Sequence, residues 1–192
     1  EHVKAARPDW QAIDWSADER PDWWAGYVSQ LGHEIMRRIN GTAVVSPVAL
    51  TAVSLLASPQ RTMPADELSE RLSAYIALLQ RAPYGPNLQI PETDGGLLLE
   101  RAERIAGLQR VEHPWGDLIL AQDKEAVLLT YYRNSIQHLF ALPSLIANFF
   151  SARALRKRAE VIAGSRALYP ILRDEWFLWD QEQNLTHAIE RQ

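Results

Sequence analysis

Apolar residues recur along this chain mostly at helical intervals. Trp24, Val28, Leu31, Ile35 and Ile39 stand three and four apart, which predicts one stripe of a helix ending near Asn40-Gly41, with Glu34, Arg37 and Arg38 on its other face. Ser46-Pro47 reads as a helix start: Ser accepts an orphan backbone N–H, and Pro in the first turn loses no hydrogen bond. The helix that follows, over residues 47–57, is apolar nearly all round. A further start is expected at residues 62–66, where Pro64 precedes Leu68, Leu72, Ile76 and Leu79 on one face and Glu67, Glu70 and Arg71 face solvent.

A Pro- and Gly-rich loop covers residues 82–96, and Leu98, Ala102 and Ile105 then predict a short helix stopped at Gly107. The period changes over residues 111–121, which read as two short strands around His113-Pro114-Trp115-Gly116. Three helices followed by a hairpin resemble a winged-helix arrangement. From Glu125, the residues Leu128, Tyr132, Ile136 and Leu139 favour a helix, with a break expected near Leu142 because of Pro143. The tail opens on a basic cluster and regains helical spacing over residues 168–179. The expected fold class is therefore mainly α: a helical domain with a small winged-helix-like β-hairpin, followed by further helices. The expected divisions are a polar, Pro-punctuated arm over residues 1–21, the winged-helix-like domain over 22–122 and a helical segment over 123–192.

Composition narrows the chemistry. A formal net charge of -4 disfavours a general nucleic-acid binder, which needs a cationic docking face. The absence of cysteine removes disulfides, thiolate nucleophiles and Cys-based zinc sites. Seven tryptophans, four of them Trp10, Trp15, Trp23 and Trp24, suit a packing interface. Two uncharged stretches, residues 39–60 and 134–152, approach the length of a bilayer span, but both carry polar residues and a central proline, so a buried core is expected instead.

Histidine chemistry is not self-sufficient here. His2, His33, His113, His138 and His187 include no pair at helical metal-site spacing, and no metal or other cofactor is expected. Acyl transfer to an alcohol needs a His to take the hydroxyl proton and a carboxylate to orient it, commonly His, four residues, Asp. The residues five beyond these histidines are Arg7, Arg38, Leu118, Pro143 and Gln192, none of them acidic. No Gly-rich phosphate loop or nucleophile elbow replaces the dyad. The densest polar and aromatic cluster is Thr130-Tyr131-Tyr132-Arg133-Asn134-Ser135 with His138 one turn on. Tyr131, Tyr132, Arg133, Asn134 and His138 are the candidates for substrate or interface contact. Phe149 and Phe150 beside Arg153, Arg156, Lys157 and Arg158 combine apolar and cationic groups, as a surface touching anionic headgroups does.

The stretch Ala126-Val-Leu-Leu-Thr-Tyr-Tyr-Arg-Asn-Ser-Ile-Gln-His-Leu-Phe-Ala-Leu-Pro-Ser-Leu-Ile-Ala147 resembles a signature of the bacterial membrane-bound glycerol-3-phosphate acyltransferases. Ile39-Asn-Gly-Thr-Ala-Val-Val-Ser-Pro-Val-Ala-Leu50, Leu55-Leu-Ala-Ser-Pro-Gln-Arg61, Gly116-Asp-Leu-Ile-Leu120 and Leu168-Tyr-Pro-Ile-Leu172 follow the family's order. The family's His-x-x-x-x-Asp motif, its glycerol-phosphate-binding arginine motifs and its Pro-Glu-Gly segment do not occur here, so no catalytic residue carries over. The resemblance implies a C-terminal region that is inactive alone, in a parent enzyme acylating glycerol 3-phosphate from acyl-CoA or acyl carrier protein in the first step of phospholipid synthesis. It further implies contact with the enzyme's own upstream acyltransferase domain, and a peripheral position on the cytoplasmic face of the bacterial inner membrane. Two rival readings are a winged-helix binding module, whose groove-reading helix would be residues 66–81, and a purely structural scaffold. The acidic Asp66, Glu67 and Glu70 on that helix argue against nucleic acid as a partner.

Overall fold

The computed structural model describes residues 10–13, 16, 20–85, 87–92, 94–151, 155–178 and 184–191. The fold is mainly α with one small antiparallel sheet. Contacts divide the chain into two units, Glu1–Ile35 and Met36–Gln192. In the first, a single 3-10 turn at Trp10–Ala12 is followed by most of helix α1 (Trp24–Gly41). Trp23, Trp24 and Tyr27 pack ring on ring there, with centroids 5.8 to 6.2 Å apart. The expected apolar stripe of α1 is largely uncovered: Val28 and Ile35 in the first unit and Ile39 in the second are exposed. Trp24 and Leu31 on the same stripe are half-buried.

The second unit is built around α2 (Pro47–Ala57), whose all-round apolarity is matched by burial of Val48, Leu50, Ala52 and Leu55. The Ser46 side chain accepts from the Ala49 N–H at 3.1 Å, and Pro47 occupies the first turn. Against α2 pack α3 (Ala65–Arg81), α4 (Gly95–Ala106) and α5 (Asp123–Ile136). The face of α3 read from the sequence, Leu68, Leu72, Ile76 and Leu79, is buried throughout. On α4 the inward residues are Leu98, Leu99, Ala102 and Ala106, whereas Ile105 turns to solvent. Gly107 closes α4 in the left-handed region at φ 65, as a glycine C-cap does. Gly95 lies so near α3 that a Cβ there would come within 1.9 Å of the Ser69 carbonyl oxygen.

The expected helix start at residues 62–66 is corrected: Thr62–Pro64 forms β1, and α3 begins only at Ala65. Pro64 can sit there because β1 is an edge strand. With β2 (Gln109–Val111) and β3 (Leu118–Leu120) it makes a sheet of order β1-β3-β2, in which Met63 and Arg110 flank Ile119. Helix, strand, two helices and a hairpin in this order, with β3 central, is winged-helix topology. Arg110 clamps the hairpin to α4, reaching Glu103 at 2.9 Å and Asp117 at 3.0 Å; these hydrogen bonds, Glu103 foremost, hold its guanidinium above its usual pKa.

The break expected near Leu142 falls earlier. Residues Gln137–Phe140 tighten into a 3-10 turn, and α6 (Ala141–Asn148) then carries Pro143 in its first turn, where a missing N–H costs nothing. Helices α7 (Arg158–Trp176) and α8 (Leu185–Arg191) complete the unit. Two apolar cores result: one joins Val45 to Phe140 through α2–α5 and the sheet, and a smaller one gathers Leu142, Tyr169, Leu178, Leu185 and Ile189. Helix α5 buries Leu129 and Ile136 in the first core.

Candidate functional site

The polar cluster singled out by sequence is dispersed by the helix that carries it. Tyr131 is 72% exposed on the outer side of α5, whereas Tyr132 is half-buried against the first core. Asn134 is exposed, and its Oδ1 accepts from Arg133 Nη2 at 2.9 Å and Nε at 3.2 Å. His138, on the 3-10 turn, points the opposite way and is 5% exposed. Its ring stands edge-on to Tyr84, and Nε2–H donates to the Asn40 carbonyl at 3.2 Å, which fixes the tautomer. Burial holds the pKa of His138 below its ordinary value, with the Asn40 hydrogen bond opposing.

Asn40, at the predicted end of α1, is a hub. Its side-chain amide donates to the carbonyls of Trp176 at 2.8 Å and Phe177 at 3.3 Å. The C-terminal ends of α1 and α7 and the 3-10 turn are thereby joined in one polar junction. Contacts spanning 98 and 136 residues leave no periodic trace in a sequence.

Beside this junction lies an open groove of about 770 Å³. Val53, Phe140, Leu145, Leu172 and Trp176 form its apolar wall. Arg133, Gln137, Ser144, Asn148 and Ser151 recur at helical intervals along α5, the 3-10 turn and the end of α6 as its polar rail. Among the described residues Arg133 is the one charged residue in the lining, and no carboxylate pairs with it. Of the sequence candidates among the described residues, only Arg133 lines this groove.

The second candidate cluster is partly engaged. Phe149 is half-buried, with its ring packed so closely over Gly164 that a Cβ there would meet it at 2.6 Å. Its carbonyl accepts from Arg156 Nε at 2.9 Å, and Arg158 pairs with Glu190. Phe150 is 40% exposed and Lys157 is exposed; Arg153 lies outside the described residues. Phe150, Arg156 and Arg158 border a smaller hollow of about 230 Å³. Among the described residues no helix is long and apolar enough to cross a membrane, and no cluster of His and carboxylate side chains could hold a metal ion.

The model of the family described as the glycerol-3-phosphate acyltransferase C-terminal region matches residues 1–192. A protein of Aeromonas hydrophila named glycerol-3-phosphate acyltransferase is 37% identical over 190 residues, covering 99% of this chain and 23% of that protein. One of the same name from Pseudomonas aeruginosa is 35% identical over 178 residues, covering 92% and 21%. Another from Pseudomonas savastanoi is 37% identical over 179 residues, covering 93% and 21%. The chain thus spans under a quarter of the length of these curated relatives. No solved structure matches it. With a family model matched from end to end, and with relatives of that one name aligned along nearly its whole length, the chain belongs to the glycerol-3-phosphate acyltransferase C-terminal region family.

Proposed function

We propose that this region is an accessory part of an enzyme that transfers an acyl group from acyl-CoA or acyl carrier protein to glycerol 3-phosphate, and that it braces that enzyme's upstream catalytic domain. It supplies no catalytic residue, since none of its histidines is followed by the Asp of the expected dyad. The observation that carries the bracing role is the outer side of α5. There Val127, 75% exposed, and Tyr131, 72% exposed, stand one turn apart beside the exposed Leu128. Contiguous outward apolar groups of this kind mark a surface that another polypeptide covers. In the full-length polypeptide, replacing Val127 and Tyr131 together with Asp removes two interface anchors, worth about 2–4 kcal/mol. The expected outcome is a parallel loss of acyl transfer and of thermal stability. Full activity at an unchanged Tm would sink the proposal.

The same proposal places the region peripherally on the cytoplasmic face of the bacterial inner membrane. Support comes from the exposed Phe150 and Lys157, which among the described members of the aromatic and basic cluster have the least internal engagement. Co-sedimentation with vesicles rich in anionic lipid is expected to fall in the F150E/K157E double variant; equal binding by both proteins would remove this part.

Nucleic acid is a poor fit despite the winged-helix topology. In that topology the second helix of the pair is α4, not the residues 66–81 expected from sequence. Helix α4 turns Leu97, Ile105 and Glu100 outward along with Arg101 and Arg104, and the wing exposes Trp115, a mixed and partly apolar surface.

A further inference from the structure

We infer that the groove between α5, α6 and α7 is a binding site for a single-chain amphiphile, its acyl tail lying on the wall formed by Leu145, Leu172 and Trp176 and its anionic end held by Arg133. The inference rests on the accessory-region reading in one respect: it assigns to this region a lipid of the class the parent reaction handles.

Four observations converge. The volume, about 770 Å³, falls within the range of small-ligand sites. The apolar wall suits an alkyl chain, which asks for no hydrogen bonds, better than a peptide, whose backbone would need a partner for every amide. The polar rail is elongated: it runs from Arg133 on α5 through Gln137 on the 3-10 turn to Ser144 and Asn148 on α6. Finally, Arg133 is half-buried and offers five donors, of which two reach the neutral amide oxygen of Asn134, so an anion can take up the others. Among the described residues the lining carries one cation, Arg133, and no carboxylate, which suits a ligand with an anionic end. The wall is also held in place, because the Trp176 carbonyl accepts from Asn40.

Carboxylate and phosphate monoester headgroups share this chemistry, and the test separates them. The full-length polypeptide is labelled with a palmitate analogue bearing a photoreactive diazirine near its tail, and adducts are mapped by peptide mass spectrometry. Adducts are expected on peptides containing Leu145, Leu172 or Trp176, and should vanish in A147W, which fills the groove from an exposed lining position. S144W serves as the second filling variant should A147W fold poorly. Palmitate, 1-palmitoyl-glycerol 3-phosphate and hexadecanol are then compared as competitors. R133Q is expected to weaken the two anions about fivefold and to leave hexadecanol unchanged. Each methylene removed from the tail should weaken competition about fourfold. The stronger anionic competitor identifies the headgroup. Adducts only outside the groove, labelling that persists in both filling variants, or an equal effect of R133Q on all three competitors would each overturn the inference. The V127D/Y131D variant distinguishes the two readings: groove labelling that survives while this variant retains full activity means that the bracing role has failed and the lipid site has not.

Discussion

The two cores of the second unit differ in how far they stand alone. The first is closed on itself, with α2 wrapped by three helices and a sheet, and its Leu50, Leu55, Leu68, Leu72 and Leu98 have no access to water. The second gathers α6, α7 and α8 around Tyr169 and Leu185, with Leu178 in it and Tyr84 at its edge, while Leu168 and Ile171 on α7 remain exposed. The first therefore buries its apolar side chains with its own elements. The second draws part of its order from the Asn40 junction and borders the groove, which suits a segment whose remaining apolar surface meets a ligand or a neighbouring domain.

The largest expected effect tests that contrast directly. Leu72→Ala in the first core should cost about 3–5 kcal/mol, whereas Leu185→Ala in the smaller core, which has more room to relax, should cost about 2–3 kcal/mol. Chemical denaturation of each variant measures both; equal losses would erase the distinction. Next in size, Asn40→Ala leaves the Trp176 and Phe177 carbonyls without their donor, at about 1–3 kcal/mol. Hydrogen exchange should quicken at the end of α7 while α2 and α3 keep their protection. Uniform acceleration would mean that the two cores open together.

A smaller effect depends on pH. Because the folded-state pKa of His138 is depressed, the unfolded chain binds the proton first as pH falls below about 6.5. The stability contributed by the neutral ring is thus complete above that pH and declines as pH drops toward the folded-state value. His138→Gln should flatten the dependence of Tm on pH between 7 and 5, and an unaltered slope would remove His138 as its source.

Much of this architecture could be read from the sequence because helices announce themselves by period. The faces of α2 and α3, the Ser46 cap and the Gly107 stop all follow from local rules. Strand β1 escaped because three residues are too few to show alternation and Pro64 imitated a helix start. The exposed stripe of α1 escaped for the opposite reason: the period was correct, but period cannot say whether anything covers a face. The density of polar and aromatic residues placed Arg133 and His138 in one candidate cluster, yet 3.6 residues per turn and a 3-10 turn send one to the groove and the other into the interior. Asn40 and Trp176, remote in sequence, could not have been joined by any local rule.

Position 95 sets the spacing of the winged-helix pair by what it lacks. With the Ser69 carbonyl oxygen 1.9 Å from where a methyl group would begin, even alanine has to prise one helix backbone off another, a cost of about 3 kcal/mol or more. A saturation library across this helix should thus lose every alternative at 95 but accept several at 96, where the tightest neighbour is the Asp94 side chain at 3.1 Å. One hydrogen atom in place of a side chain sets how closely two helices sit.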